Sequence, residues 1–201
     1  MTAWDYWGRS GRWGRPAPSS YRLTLIEKPT EQPISFEQAC DHLRLGDPAS
    51  AEAVAQQAMI ERMIRSAVGE VQRYCDLAVL TQKWRLVAET MVSPYMLPKA
   101  PLQSVDKVTA DDGTVADPAS YSVVLDERLP GLLVGASGPV VEFTAGWETA
   151  ADVPDELVQA MLLMIGTWFM NRESAQPFTL TMIPGVGVTE LLDPFRLEVI
   201  A

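Results

Sequence analysis

Leu157-Val-Gln-Ala-Met-Leu-Leu-Met-Ile-Gly-Thr-Trp-Phe-Met-Asn171 contains no charged residue and is bounded by Asp155 and Glu156 on one side and Arg172 on the other. Carboxylates complement the positive end of a helix dipole and a cation complements the negative end, so these flanks predict one helix over 155–172. The uncharged run would be roughly 22 Å long, short of the about 20 apolar residues that a bilayer needs, and no membrane partner is expected. Leu157, Met161, Met164, Ile165 and Trp168 line one side of it, while Leu162, Leu163, Phe169 and Met170 cover the others. A helix apolar nearly all round must be buried on most of its faces. Leu157, Met161, Met164, Ile165, Trp168 and Phe169 are therefore the expected core or subunit-packing residues, with another copy of the chain as the favoured cover.

Two helices are expected upstream. Ser35 and Gln38 have the spacing of a capping box, and Phe36, Ala39 and Leu43 follow at helical intervals, giving a helix over about 35–45 that Gly46-Asp47-Pro48 stops. A longer helix over about 50–76 repeats Ile60, Met63, Ile64, Ala67, Val68, Val71, Tyr74 and Cys75 at steps of three and four, with Glu61, Arg62, Arg65, Glu70 and Arg73 on its other sides. Between Leu80 and Ala145 the period falls to two, as in Trp84, Leu86 and Ala88. Turn residues such as Asp111-Asp112-Gly113, and prolines from Pro94 to Pro139, point to short strands. Val188–Leu192 is expected to form a last short helix, ended by Pro194.

The expected fold class is α+β: mainly a helical bundle of about three main helices plus a short C-terminal helix, with a β-rich insert over about 80–146 between the second and third helices. One body over 21–201 is expected, preceded by a different segment. Residues 1–20 hold three Gly-Arg-x triplets among Trp4, Tyr6, Trp7 and Trp13, and predict a flexible arm. Arg9, Arg12 and Arg15 against Asp5 make the arm +2, so the remainder carries −12 of the net −10. So acidic a body argues against a broad phosphate-binding surface. A hydrophobic content of 47% is enough for a real core. Cys40 and Cys75 fall in helical segments and are expected as free buried thiols in a chain made in a reducing cytoplasm, since no apolar leader opens the sequence.

Chemistry finds little support. His42 is the single histidine and no paired-cysteine, HExxH, nucleophile-elbow or phosphate-loop motif occurs, so neither an enzyme, a cofactor nor a metal site is expected. Gly185-Val-Gly187 is a lone G-x-G in a loop; Asp111-Asp112 and Asp126-Glu127 lie beside turn residues and are expected to be solvated. Interleaved Trp and Arg in the arm suit stacking on bases, but they are also the residues enriched where proteins bind proteins. Trp4, Trp7, Arg9, Arg12, Trp13 and Arg15 are taken as partner-binding residues, with a DNA-packaging or DNA-binding accessory protein as the alternative function.

Seven segments in order carry a family resemblance: Ile34–Arg44, Val71–Asp76 running on into Leu80–Trp84, Leu97–Val105, Tyr121-Ser-Val, Val141–Trp147, Val153–Leu157 leading into the uncharged helix, and Gly187-Val…Leu191-Leu192…Pro194-Phe-Arg196. Together they resemble the head–tail connector proteins (adaptor, or head-completion proteins) of long-tailed bacteriophages and gene transfer agents, over about residues 33–197. The Gly-Arg-x arm departs from that pattern. The resemblance implies a structural subunit of the virion or phage-like particle at the head–tail junction, assembled in the bacterial host cytoplasm. It implies a ring, typically twelve-fold, beneath the portal protein, to which the stopper or tail-side connector attaches. DNA would pass through the channel without sequence-specific binding. Leu191, Leu192 and Phe195 join the arm residues as expected partner contacts.

Overall fold

The structure, a computed structural model, describes residues 21–89, 93–125, 131–136, 138–171 and 187–196. These form two compact units: one of strands, from residues 21–29 and Asp76–Glu148, and one of helices, from Thr30–Cys75 and Thr149–Arg196.

The strand unit begins with β1 (Tyr21–Glu27) and continues with β2 (Gln82–Ala88), β3 (Tyr95–Met96), β4 (Leu102–Thr109), β5 (Ser122–Val124), β6 (Leu132–Val134) and β7 (Val140–Ala145). One antiparallel sheet has the order β1-β2-β7-β4 and a smaller one the order β3-β6-β5. Cross-strand register explains the alternation. Leu23, Leu86, Val141 and Val108 lie level across the large sheet, as do Leu25, Trp84, Phe143 and Val105, and all of these but Leu25 belong to the core or pack against it. Between them runs the row Thr24, Arg85, Glu142 and Lys107 on the opposite face. There Arg85 Nη2 meets Glu142 Oε1 at 2.6 Å, and Lys83 Nζ lies 3.4 Å from Asp106 Oδ2. Such exposed pairs are worth about 1 kcal/mol or less each; they fix which face is wet more than they hold the sheet.

The end of this layer where β2 and β4 begin and β7 finishes is locked by hydrogen bonds and backbone geometry. Leu80 bridges Trp147, and Thr81 N–H donates to Trp147 O at 3.0 Å. Gln103 Nε2 donates to Gly146 O at 2.7 Å and to Thr81 Oγ1 at 2.8 Å. Gly146 has φ +112°, and a Cβ there would lie 2.2 Å from Leu80 O. Only glycine fits.

In the helical unit, α1 (Phe36–Leu43), α2 (Ala51–Cys75), α3 (Asp155–Met170) and α4 (Val188–Leu192) are followed by a 3-10 turn at Asp193–Phe195. The Ser35 capping box forms as expected: Gln38 N–H donates to Ser35 Oγ at 3.1 Å, and Ser35 N–H to Gln38 Oε1 at 2.9 Å. Along α2 the buried residues are Ala53, Ile60, Ile64, Ala67, Val71 and Cys75, a single stripe that packs against α3 and α1.

The expectation of a mainly helical bundle with a β-rich insert is therefore corrected. Among the described residues the three longer helices and the short C-terminal one are present as expected, but seven strands in two antiparallel sheets make a unit of their own rather than an insert in a helical bundle. The strand missing from the sequence reading is β1. It precedes the first helix yet pairs with β2, so the large sheet is not an insert between helices but joins segments from both sides of α1 and α2. Packing Tyr21 and Leu23 against the core decides this, because a strand isolated from the sheet could not cover them. Replacing Gly146 with alanine should lower unfolding stability by about 2–4 kcal/mol, measured by urea denaturation, because the clash is with backbone and cannot be relieved by a rotamer change.

Candidate functional site

The residues singled out on α3 separate by side. Leu157, Met161 and Ile165 are fully buried and Met164 nearly so, joined by Ala160; Trp168 and Phe169 are half-buried. Within one chain α1, α2 and α4 each pack against this helix. At Gly166 the helix passes close to α1: a Cβ there would meet His42 Nε2 at 3.3 Å. The most exposed side is a stripe at steps of three and four, running from Glu156 through Gln159, half-buried Leu163 and Thr167 to Met170, which is 77% exposed.

The short α4 is held by polar contacts around its end rather than by length. Tyr74 Oη donates to Asp193 Oδ1 at 2.7 Å, the Arg196 guanidinium lies 5.4 Å from the centre of the Tyr74 ring, and Cys75 Sγ donates to Leu192 O at 3.6 Å. The hydrogen bond to Asp193 holds the Tyr74 phenol above its ordinary range. Burial, reinforced by the Asp193 carboxylate, pushes the Cys75 thiol up to about 11. No signal in the sequence pairs Tyr74 with Asp193 and Arg196, since it sits more than a hundred residues before them. Of the expected partner contacts here, Leu192 is 2% exposed and belongs to the core, while Leu191 and Phe195 are half-buried beside it. Trp4, Trp7, Arg9, Arg12, Trp13 and Arg15 lie outside the described residues, as do Asp126, Glu127 and Gly185.

The remaining candidates for chemistry resolve locally. Asp112 Oδ1 accepts from Thr114 N–H at 2.9 Å and from Thr114 Oγ1 at 2.6 Å, which holds its carboxyl below the ordinary range and makes it a turn residue. Cys40 and Cys75 are free and buried. Among the described residues no three metal-ligating side chains converge, and no helix is long and apolar enough to cross a membrane. Among the described residues, Val54 and Met170 are the large apolar side chains that the helices leave exposed.

The same fold occurs in particle components. It matches a chain from the neck of an empty gene transfer agent (GTA) particle computed with C6 symmetry, with a TM-score of 0.74 and 21% identity over 90% of this chain and 97% of that one. A chain from the virion of a native gene transfer agent gives a TM-score of 0.72 at 21% identity, over 89% and 97%. A chain from the neck of a native particle computed with C12 symmetry gives 0.62 at 18%, also over 89% and 97%. No protein-family model and no curated protein matches the sequence. At these identities the likeness is one of fold, and it spans both the strand unit and the helical unit.

Cys75 offers a test of the α2–α4 contact. Below pH 9 the thiol is neutral whether the chain is folded or not and contributes nothing to pH dependence. Above pH 9 the unfolded chain releases its proton first, so stability should fall between pH 9 and about 11, by up to about 2–3 kcal/mol. Urea unfolding across that range should show this loss in the native chain, and a shallower slope in Cys75→Ala.

Proposed function

We propose that this chain is a structural head–tail adaptor. Copies form a ring beneath the portal of a tailed phage or phage-like particle and join the filled head to the stopper or tail. The observation that carries this is the fold shared, over nine-tenths of the chain, with neck chains of gene transfer agent particles. The C6 and C12 symmetries of those necks favour a ring, with twelve copies as the expected number. The seven ordered sequence segments, read independently of the fold, support the same assignment.

The physics of the chain suits such a part. It works by binding: its free energy goes into packed helix faces and an antiparallel sheet. A net charge of −10 would repel a passing phosphate backbone, so DNA could traverse the ring without being held. The Trp/Arg arm over residues 1–20 supplies anchors of the type that dominate protein–protein contacts, and in this assignment it engages the portal or the stopper. Cryo-electron microscopy of particles made with and without the gene tests the whole proposal. Density for a ring of this fold should lie directly under the portal, and particles lacking the gene should be DNA-filled heads without tails. Complete, tailed particles in the absence of the gene would overturn it.

A further inference from the structure

Two exposed helix faces in the helical unit complement one another along their length. On α2 the solvent face begins with Ala51, Val54, Ala55 and Ala58, where Val54 is 53% exposed. The same face then turns basic, with exposed Arg62, Arg65 and Arg73 around Gly69, which has no atom within 4 Å of where a Cβ would stand. On α3 the most exposed stripe runs the other way, from exposed Asp155 and Glu156 to apolar Leu163 and exposed Met170.

We propose that these faces meet between neighbouring copies, with the α3 stripe of one chain lying antiparallel on the α2 face of the next. The spacing fits. Met170 and Glu156 are fourteen residues apart in sequence, about 21 Å of helix. With Met170 seated on Val54, Glu156 comes level with Val68 and Gly69, one turn from Arg65 on one side and from Arg73 on the other. Leu163 then meets the aliphatic stem of Arg62. Arg65 and Arg73 are now paired with Glu61 and Glu70 of their own helix, but these are exposed i,i+4 and i,i+3 pairs that cost little to rearrange.

Alternative pairings of the same faces fail. Two α2 faces packed antiparallel would set alanines against arginines, and packed parallel would set arginine on arginine. Two antiparallel α3 stripes would bury a carboxylate pair against Met170. Only α2 against α3 puts apolar on apolar and cation on anion together. Because the two surfaces differ, the contact is heterologous and repeats from copy to copy, as a ring requires. Net charge acts in the same direction: copies at −10 repel one another, except where they face each other through uncharged or opposed surfaces.

This interface rests on the ring assignment, yet it is tested separately. Native Cys40 and Cys75 are buried, so thiols added on the surface report cleanly. Purified Val54→Cys and Met170→Cys chains, mixed at high concentration under mild oxidation, should give a covalent dimer about tenfold above either chain alone. Adding Arg65→Glu and Arg73→Glu to the first chain should cut that yield about tenfold, and adding Asp155→Arg and Glu156→Arg to the second should restore it. No mixed dimer, an equal dimer from one variant alone, or insensitivity to the charge reversals would overturn the interface. If particles contain the ring but the mixed dimer fails to form, the interface falls and the adaptor stands; if the chain is absent from particles, the adaptor falls whatever the cross-link shows.

Discussion

The helical unit depends on burying a helix that has no charge between Glu156 and Arg172. Most helices settle their orientation by turning a polar face to water; α3 has only its first turn and a thin stripe with which to do so. Its neighbours must therefore come to it. α2 supplies a buried apolar stripe from Ile60 to Cys75, with Ala53 further along, α1 reaches the helix through His42 at Gly166, and α4 covers it with Leu192. An element as short as α4, five residues, has no independent helical stability. Its place is fixed because Leu192 is wanted in the core and because Tyr74, Cys75 and Arg196 hold its end by hydrogen bond and ring contact.

The strand unit solves a different problem. Its sheet is all antiparallel, so one face can be wet and the other dry without helices on both sides. Register does this work: a shift of one residue in β7 would carry Phe143 and Val141 to the face of Arg85 and send Glu142 into the core. The wet face is kept in that register partly by opposed charges across strands. The connection to the following chain is a glycine at positive φ with a glutamine bound to its carbonyl, a junction that tolerates no side chain and leaves no polar group idle.

Local signals were legible in the sequence and non-local ones were not. Ser35 with Gln38, the three-and-four spacing of Ile60 to Cys75, and the flanks of the uncharged run each lie within one helix, and each gave its element to within a few residues. Tyr21–Glu27 also alternates, with Tyr21, Leu23 and Leu25 facing the core. Its partner, however, is β2, which comes some sixty residues later, after two helices. Nothing local distinguishes a strand in that position from the end of a flexible arm, so the protein looked more helical than it is. Another copy was the favoured cover for α3, and for its most buried residues the cover lies within the chain for the same reason. A chain with few helices covers Leu157, Met161 and Ile165 completely once α4 folds back, and that return is set by contacts between residues more than a hundred positions apart.

What the single chain does not cover is informative because of the charge around it. At physiological ionic strength a charge is felt over only about 8 Å, so repulsion between copies of an acidic protein acts chiefly on surfaces about to touch. An acidic surface broken by helix faces that are apolar at one end and oppositely charged at the other therefore selects how copies can approach as well as whether they do. Met170 and Val54 add little area, and two such side chains alone would not hold an assembly together. Placed at one end of faces that carry opposite charges at the other, they define a direction: turned end for end, the same helices would bring Met170 onto arginine and leave the carboxylates beside alanine. Direction is what a closed ring demands of each subunit, since every copy must offer its neighbour a surface that it does not itself present on that side.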